Sequence, residues 1–202
     1  MVDFVWPIRM VQRQTFFYGK EGLCDCAWHI AGVVGFAVWR EWSHREDMKR
    51  VEHALIMLVS KQDMTLRLIN YEGKEIFRAL VATGANPGNK RKASDLRTPE
   101  GVFQVVDIQN SSEWKHDFKD GKGAIVGSYG PHFIRLDVPG HKGIGIHGTH
   151  LPESIGMRAT EGCIRLCNED LERLVSLIYP PLTVVITPAA EDEAVNGMNE
   201  VK

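Results

Sequence analysis

The most informative stretch of this chain is IGIHGTH at residues 144–150, followed by ATEGCIRLCNED at residues 159–170. It places His147 sixteen residues before Cys163. A thiol nucleophile needs an imidazole to take its proton, because a free cysteine has a pKa of about 8.5 and is mostly protonated at neutral pH. Gly162 directly precedes Cys163 and allows a sharp turn that presents backbone N–H groups to a reacting carbonyl. The stretch therefore predicts a thiol acyl-transfer site, with His147 as base and the N–H groups of Gly162 and Cys163 as oxyanion hole.

The composition is that of an ordinary globular protein. Of the 202 residues, 44% are hydrophobic and 25% are charged, which suffices for one packed domain and an extension. The formal net charge is −2 and no long basic stretch occurs, so the sequence predicts no nucleic-acid partner. The four cysteines are Cys24, Cys26, Cys163 and Cys167, and their spacing does not assign a redox compartment.

The N-terminal extension, residues 1–50, has a function that the sequence leaves open. Residues 27–39 (AWHIAGVVGFAVW) are almost all apolar but fall short of the about 20 that a membrane-spanning helix needs. Lengthening the run to residues 23–39 brings in Asp25. Three interpretations remain: a membrane anchor or export segment, a helix packed on the domain, or an upstream extension that is not translated.

From residue 54 onward the pattern changes to short runs of strand-forming residues. Asn70-Tyr71-Glu72-Gly73 predicts a hairpin turn, and the polar, glycine-containing residues 110–130 predict a flap over the sheet. The predicted strands cover residues 54–60, 65–69, 76–83, 102–108, 133–138, 143–148 and 182–187. This element order predicts a mainly β fold, a β-sandwich or flattened barrel with one or two helices.

One helix is predicted late in the chain. Asn168 is a candidate N-cap, and Pro180-Pro181 stops the helix. Its apolar stripe consists of Leu171, Leu174, Val175 and Ile178. The residues that follow 188 are acidic and poor in large apolar side chains, which predicts a flexible tail. The predicted organisation is therefore an extension at 1–50, a catalytic domain at 51–188 and an acidic tail at 189–202.

Residues from about 54 to 188 resemble the catalytic domain of the L,D-transpeptidase (YkuD-type) family. Five blocks carry the resemblance in the order of the family: TPEGVF at 98–103, YGPHFIRL at 129–136, IHGT at 146–149, SIG at 154–156 and TEGCIRL at 160–166. A single Gly-Cys-Ile-Arg match would be weak evidence, whereas five blocks in sequence are strong.

The resemblance implies a bacterial enzyme that remodels peptidoglycan at the extracytoplasmic face of the envelope, without a cofactor. Cys163 would attack the third residue of a tetrapeptide stem, and His147 would protonate the departing D-alanine. The acyl acceptor would be a second stem or a lipoprotein lysine, while water would make the enzyme an L,D-carboxypeptidase. β-Lactams of the carbapenem type are implied as inhibitors. A backbone carbonyl near Gly148 is the first candidate to orient His147, and the Thr149 hydroxyl is the second.

Two positions depart from the family motif, which reads Ser-His-Gly-Cys before the arginine. Thr160 keeps a hydroxyl, whereas Glu161 replaces the histidine with a carboxylate, and a nearby anion raises a thiol pKa. Glu161 is therefore expected to point away from the sulfur and bind a substrate ammonium group; the other interpretation is a weakened site. Arg165 would pair within the protein or bind a stem carboxylate. The substrate-binding candidates are Arg165, Glu161, Thr160, Gly148 and Thr149.

Two other functions stay open at this point. An impaired site would leave a peptidoglycan-binding module without catalysis. The His147-x-x-His150 spacing also fits a metal-dependent amidase, but no third ligand is evident. The sequence therefore predicts no bound metal.

Overall fold

An eight-stranded sheet organises the part of the chain that the computed structural model describes, which is residues 54–118, 121 and 123–200. The spatial order of its strands is β11-β9-β8-β5-β12-β1-β2-β3. The strands of this sheet are β1 (Leu55–Ser60), β2 (Thr65–Asn70), β3 (Glu75–Leu80), β5 (Gly101–Asn110), β8 (His132–Asp137), β9 (Gly145–His147), β11 (Ile164–Arg165) and β12 (Leu182–Thr187). Two parallel pairs, β1 with β12 and β9 with β11, interrupt an otherwise antiparallel arrangement.

The two edges of the sheet meet, so that it curls into a flattened barrel. Directly after β3, the Ala82 N–H donates to the Arg165 carbonyl at 2.8 Å, and the Arg165 N–H donates back at 2.9 Å. Beside this seam, β4 (Thr83–Gly84) pairs in parallel with β10 (Arg158–Thr160). The predicted mainly β, barrel-like fold is confirmed. The single strand predicted for residues 76–83 is divided at the seam into β3 and β4.

Alternation of apolar and polar residues decides which face of each strand enters the barrel. Phe77 and Ala79 of β3 point inward, as do Leu182, Val184 and Ile186 of β12. Helix α1 (Asn168–Leu177) adds Leu171 and Leu174 to the same core.

The start of α1 differs from the prediction in one respect. Cys167 occupies the N-cap position, and Asn168 is the first helical residue. The Asn168 side chain instead accepts a hydrogen bond from the Thr149 N–H at 2.8 Å. Asn168 therefore connects the helix to the segment after β9 rather than capping its own turn.

The predicted flexible tail is wrong for residues 190–200, which form helix α2 (Ala190–Glu200). Asp192 in its first turn is fully buried and accepts a hydrogen bond from the Ala189 N–H at 2.7 Å, as an acidic residue does in a capping box. The same carboxylate lies 3.1 Å from the buried ammonium of Lys61. Composition did not predict this helix, because Asp192 can be buried there only with Lys61, a residue from a distant part of the chain, as its partner.

The predicted flap is a hairpin of two short strands, β6 (Lys115–Asp117) and β7 (Ala124–Val126). The predicted extension, residues 1–50, and the candidate anchor at 23–39 lie outside the described residues. Among the described residues, neither helix has the length and apolar character to cross a bilayer.

Candidate active site

The barrel seam brings the two predicted catalytic residues to one place. On the parallel strands β9 and β11, His147 is the register partner of Arg165. Side chains along a strand alternate, so Cys163 shares a face with Arg165, two residues later. Cys163 and His147 accordingly line the same small cavity of about 40 Å³.

His147 is held in one orientation by its strand, its neighbours and one carbonyl. The ring is buried, and its Nδ1 lies 2.7 Å from the Gly148 carbonyl oxygen. A carbonyl can only accept, so Nδ1 carries the proton and Nε2 is left bare. The Phe133 ring stacks on the imidazole at 5.7 Å, with 8° between the planes. The prediction that a backbone carbonyl near Gly148 orients His147 is thus confirmed.

Burial sets the protonation state of this imidazole. It lowers the pKa of His147 to about 4, and the charges of Arg165 and His116 act in the same direction, while the bond to the Gly148 carbonyl opposes them. The ring is therefore neutral at pH 7 and available as a general base through Nε2.

The turn before Cys163 is built by a threonine hydroxyl and a glycine. Thr160 Oγ1 donates to the Cys163 carbonyl at 2.6 Å and accepts from the Gly162 N–H at 3.1 Å. Gly162 has φ +132°, and a β-carbon there would lie 2.7 Å from the Arg97 carbonyl oxygen. Only glycine fits this turn. The Gly162 N–H, predicted as an oxyanion donor, is engaged with Thr160 in this conformation.

Cys163 is a free, partly buried thiol with few compensating partners. Its Sγ lies 3.4 Å from the Gly143 carbonyl oxygen. Burial raises the pKa of the Cys163 thiol, and the Glu161 carboxylate adds to that effect. A hydrogen bond from Gly145 and the charges of Lys90 and Arg165 lower the pKa but do not offset burial. The resting pair is thus a neutral thiol beside a neutral imidazole.

Arg165 brings a buried cation to the same cavity. Its side chain donates to Ser154 Oγ at 3.0 Å, while its Nε is buried without a hydrogen-bond partner. Within the described part of the chain, no carboxylate forms an ion pair with Arg165. Burial lowers the pKa of Arg165, opposed by Cys163 and Glu161. Two roles were predicted for Arg165: pairing inside the protein or binding a stem carboxylate. Inside the described part of the protein, its side chain has only the Ser154 hydroxyl as a partner.

Glu161 connects the turn before Cys163 to the flap. Its carboxylate lies 3.2 Å from His116 Nε2 on β6, and the other ring nitrogen of His116 lies 3.0 Å from the Tyr129 hydroxyl. Burial, Cys163 and Glu161 together raise the pKa of Tyr129. The carboxylate thus binds a flap histidine rather than the sulfur, although its charge still reaches the thiol.

Two cavities meet at Cys163. The small one lies under the flap, and an open groove of about 370 Å³ lies on the other side, between residues 90–94 and residues 140–144. Tyr129, Glu161 and Cys163 line both cavities. The sulfur can therefore be approached from two directions.

The remaining predicted site residues have structural partners. Gly148 has no room for a side chain, because a β-carbon would overlap Asn168 Oδ1. The Thr149 hydroxyl accepts from the Leu151 N–H at 2.9 Å and does not orient His147. His150 Nδ1 lies 3.5 Å from the Ser128 carbonyl oxygen. No group of three or more metal-ligating side chains occurs among residues 54–118, 121 and 123–200.

Sequence reasoning missed His116 and Lys90. His116 reaches Glu161 from a strand 45 positions earlier in the chain, and Lys90 lies near the thiol from a loop. Neither residue belongs to a recognisable motif, so only the folded arrangement reveals them.

Comparison with known sequences gives a consistent result. The family profile described as YkuD, L,D-transpeptidase catalytic domain, matches residues 55–186. YqjB of Bacillus subtilis strain 168, named as an L,D-transpeptidase, is 36% identical over 109 residues, or 53% of this chain and 57% of YqjB. YkuD of Bacillus licheniformis, named likewise, is 33% identical over 92 residues, or 46% of each protein. The chain spans about half the length of the curated relatives it matches.

Solved structures show the same architecture. The helical cell shape determining protein Pgp2 of Campylobacter jejuni has a TM-score of 0.51 at 26% identity, over 69% of this chain and 49% of Pgp2. L,D-transpeptidase 3 of Mycobacterium tuberculosis, solved with a faropenem-derived adduct, has a TM-score of 0.51 at 17% identity, over 66% of this chain and 60% of that protein. At 17% identity the likeness shows the fold alone.

Proposed function

Because the chain belongs to the family of YkuD-type L,D-transpeptidase catalytic domains, we propose that it is a cysteine acyltransferase acting on peptidoglycan stem peptides. The observation that carries the proposal is the shared cavity of Cys163 and His147, with the bare Nε2 of a neutral imidazole available beside the thiol. Cys163 is the nucleophile and His147 is the general base.

In the first half-reaction, Sγ attacks the carbonyl of the third stem residue while its proton passes to His147 Nε2. The neutral resting pair requires this transfer to accompany attack, because the thiol pKa is raised and the imidazole pKa is lowered. The Cys163 N–H is the remaining candidate oxyanion donor, because the Gly162 N–H donates to Thr160. The imidazolium then protonates the nitrogen of D-alanine, the C–N bond breaks, and a thioester remains on Cys163.

In the second half-reaction, an acceptor amine attacks the thioester and gives a proton to His147. The C–S bond breaks, the proton returns to the sulfur, and a new amide is formed. A second stem or a lipoprotein lysine supplies the amine in the transpeptidase reaction, and water gives L,D-carboxypeptidase activity. Glu161, which lines both cavities, is the candidate to bind an ammonium group of the substrate.

Thiol acylation tests the proposal directly. Incubation with a carbapenem is expected to add one drug mass to the protein, and the Cys163→Ala variant is expected to remain unmodified. Cys167→Ala, which removes the neighbouring free thiol, serves as the matched control and is expected to acylate like the parent chain. Absence of an adduct in the parent protein would favour a peptidoglycan-binding module without catalysis.

Incubation with purified stem peptides then identifies the acceptor. Cross-linked products and peptides shortened by D-alanine differ in mass, so one spectrum separates the transpeptidase from the carboxypeptidase reaction. Peptidoglycan lies outside the cytoplasmic membrane, so we place the enzyme at the extracytoplasmic face of the envelope. Anchoring through residues 23–39 is part of the same proposal, and membrane fractionation of the full chain with and without residues 1–50 tests it.

A further inference from the structure

The open groove beside Cys163 has an uneven distribution of charge. Four cations line it: Lys90, Arg91, Lys92 and Lys142. Glu161 is the single carboxylate among its lining residues, and its carboxylate also lies beside His116 Nε2. The chain as a whole has a formal net charge of −2, so the charge of the groove is opposite in sign to that of the whole chain.

The loop that carries three of these cations is fixed by Asp95. Its carboxylate accepts hydrogen bonds from the N–H groups of Arg91 at 2.7 Å and Lys92 at 3.1 Å, and from the Lys90 ammonium at 2.8 Å. Burial raises the pKa of Asp95, but these bonds outweigh it and hold the pKa far below its usual range. The loop is therefore built around a permanent anion, and it leaves the side chains of Arg91 and Lys92 exposed.

Asp95 neutralises Lys90 and leaves the other cations uncompensated. Lys90 and Asp95 form an ion pair at 2.8 Å in which both side chains are nearly buried. Arg91, Lys92 and Lys142 are exposed and have no ion-pair partner among the residues that the structure describes. Clefts lined by one sign of charge concentrate ligands of the opposite sign.

We propose that this cationic groove is a subsite for a peptide donor that carries a free carboxylate next to the bond to be cleaved. Arg91, Lys92 and Lys142 bind the carboxylate while the adjacent carbonyl reaches Sγ. The identity of the donor as a stem peptide rests on the proposed function, whereas the preference for anions does not.

Two alkylating reagents of similar size test the anion preference without any enzyme turnover. Iodoacetate is negatively charged and iodoacetamide is neutral, and mass spectrometry of the peptide containing Cys163 measures both rates. In Lys92→Gln/Lys142→Gln, the iodoacetate to iodoacetamide rate ratio is expected to fall about fivefold at low salt, for two unit charges acting through water. Lys74→Gln, which removes an exposed lysine from the β2–β3 turn, is the matched control and should leave the ratio unchanged.

The salt dependence gives a second readout on the same samples. Raising the salt concentration is expected to lower the ratio of the parent protein toward that of the double variant, because screening removes the attraction. A ratio that is equal in parent, double variant and control overturns the groove proposal, whatever the protein does to stem peptides.

Stem peptides then separate the two proposals. With a tetrapeptide ending in a free carboxylate, the double variant is expected to show a KM raised about fivefold with kcat preserved. With the same peptide ending in a carboxamide, parent and double variant should be alike. If the parent processes neither peptide but its alkylation ratio depends on the lysines, the proposed function fails and the anion subsite stands. If both peptides are processed equally by all variants, the subsite fails and the function stands.

Discussion

Two buried cations in this barrel, Lys61 and Arg165, differ in whether carboxylates surround them. At one end, the Lys61 ammonium is 1% exposed and lies 2.6 Å from Glu100, 3.1 Å from Asp192 and 3.2 Å from the Gly88 carbonyl oxygen. At the seam, Arg165 is 5% exposed, yet its nearest side-chain partner is the uncharged hydroxyl of Ser154. One cluster satisfies its cation with carboxylates, and the other leaves its cation without them.

The difference separates residues that hold the fold from residues that are available to a ligand. Buried charges are costly unless they are paired, so the carboxylates around Lys61 stabilise the connection between the end of β1, the loop at Gly88 and α2. A buried cation without a counter-ion is tolerated where a substrate or a reacting thiolate supplies the negative charge. Four substitutions test this division.

The largest effect is expected on the paired cluster. Asp192→Ala removes the carboxylate that Lys61 and Arg158 share, and should lower the free energy of unfolding by about 3–5 kcal/mol. Glu191→Ala, which removes the exposed second partner of Arg158, should cost less than about 1 kcal/mol. Urea titration of the three proteins measures both values. Equal losses in the two variants would show that burial of the cluster does not matter.

The pH dependence of stability should report the neutral His147. Its pKa is about 4 in the folded protein and about 6.5 in the unfolded chain, so the unfolded state binds a proton first as the pH falls. Stability is then fully present above pH 6.5 and declines by about 3 kcal/mol toward pH 4. His147→Gln should lose this decline. Urea midpoints of both proteins at pH 7 and pH 4.5 test the prediction. An equal fall of the midpoint between these pH values in the parent protein and in His147→Gln would contradict it.

Arg165→Met should affect reactivity more than stability. Removing a cation that lowers the pKa of Cys163 leaves the thiol more protonated, so alkylation at pH 7 should slow by about tenfold. Stability should change by less than about 1 kcal/mol, or increase, because no buried carboxylate loses its partner. Arg78→Met, which removes an exposed, paired arginine, is the control for both measurements. A large loss of stability in Arg165→Met would show that Arg165 stabilises the fold, as Lys61 does.

The smallest effect is expected at Glu161. Its carboxylate is largely exposed and adds only a minor contribution to the raised pKa of Cys163. Glu161→Gln should shift half-maximal thiol alkylation to a slightly lower pH and raise the rate at pH 7 by about twofold. An unchanged alkylation profile would mean that solvent screens the carboxylate from the sulfur completely.

The strands were predictable because their signals are local. Short runs of strand-forming residues predicted strands at residues 54–60 and 182–187, and these are β1 and β12. Their parallel pairing was not predictable, since it depends on which distant strand arrives beside β1. Helix α2 escaped prediction for the same reason, because its buried acid needs Lys61 from the other end of the domain.

The proposed nucleophile, Cys163, and the proposed base, His147, could be named from the sequence because each lies in a short motif block. His147 lies on β9 and Cys163 directly precedes its parallel partner β11, which supports the assignment. The motif could not show that the Gly162 N–H already donates to Thr160. Glu161 was the residue where reasoning from the sequence was least informative. Its partner His116 belongs to a flap that no family block marks, so the contact depends on tertiary structure.

The seam at Ala82 and Arg165 also links the assembly of the candidate site to the closing of the barrel. Those two hydrogen bonds join the two edges of the barrel, and the residue they fix lies two positions from Cys163. Contacts between remote parts of a chain are slow to form, because the intervening segment must lose its freedom first. A partly folded molecule with an open barrel thus carries Cys163 without the finished candidate site, so the proposed acylation awaits the closing of the barrel.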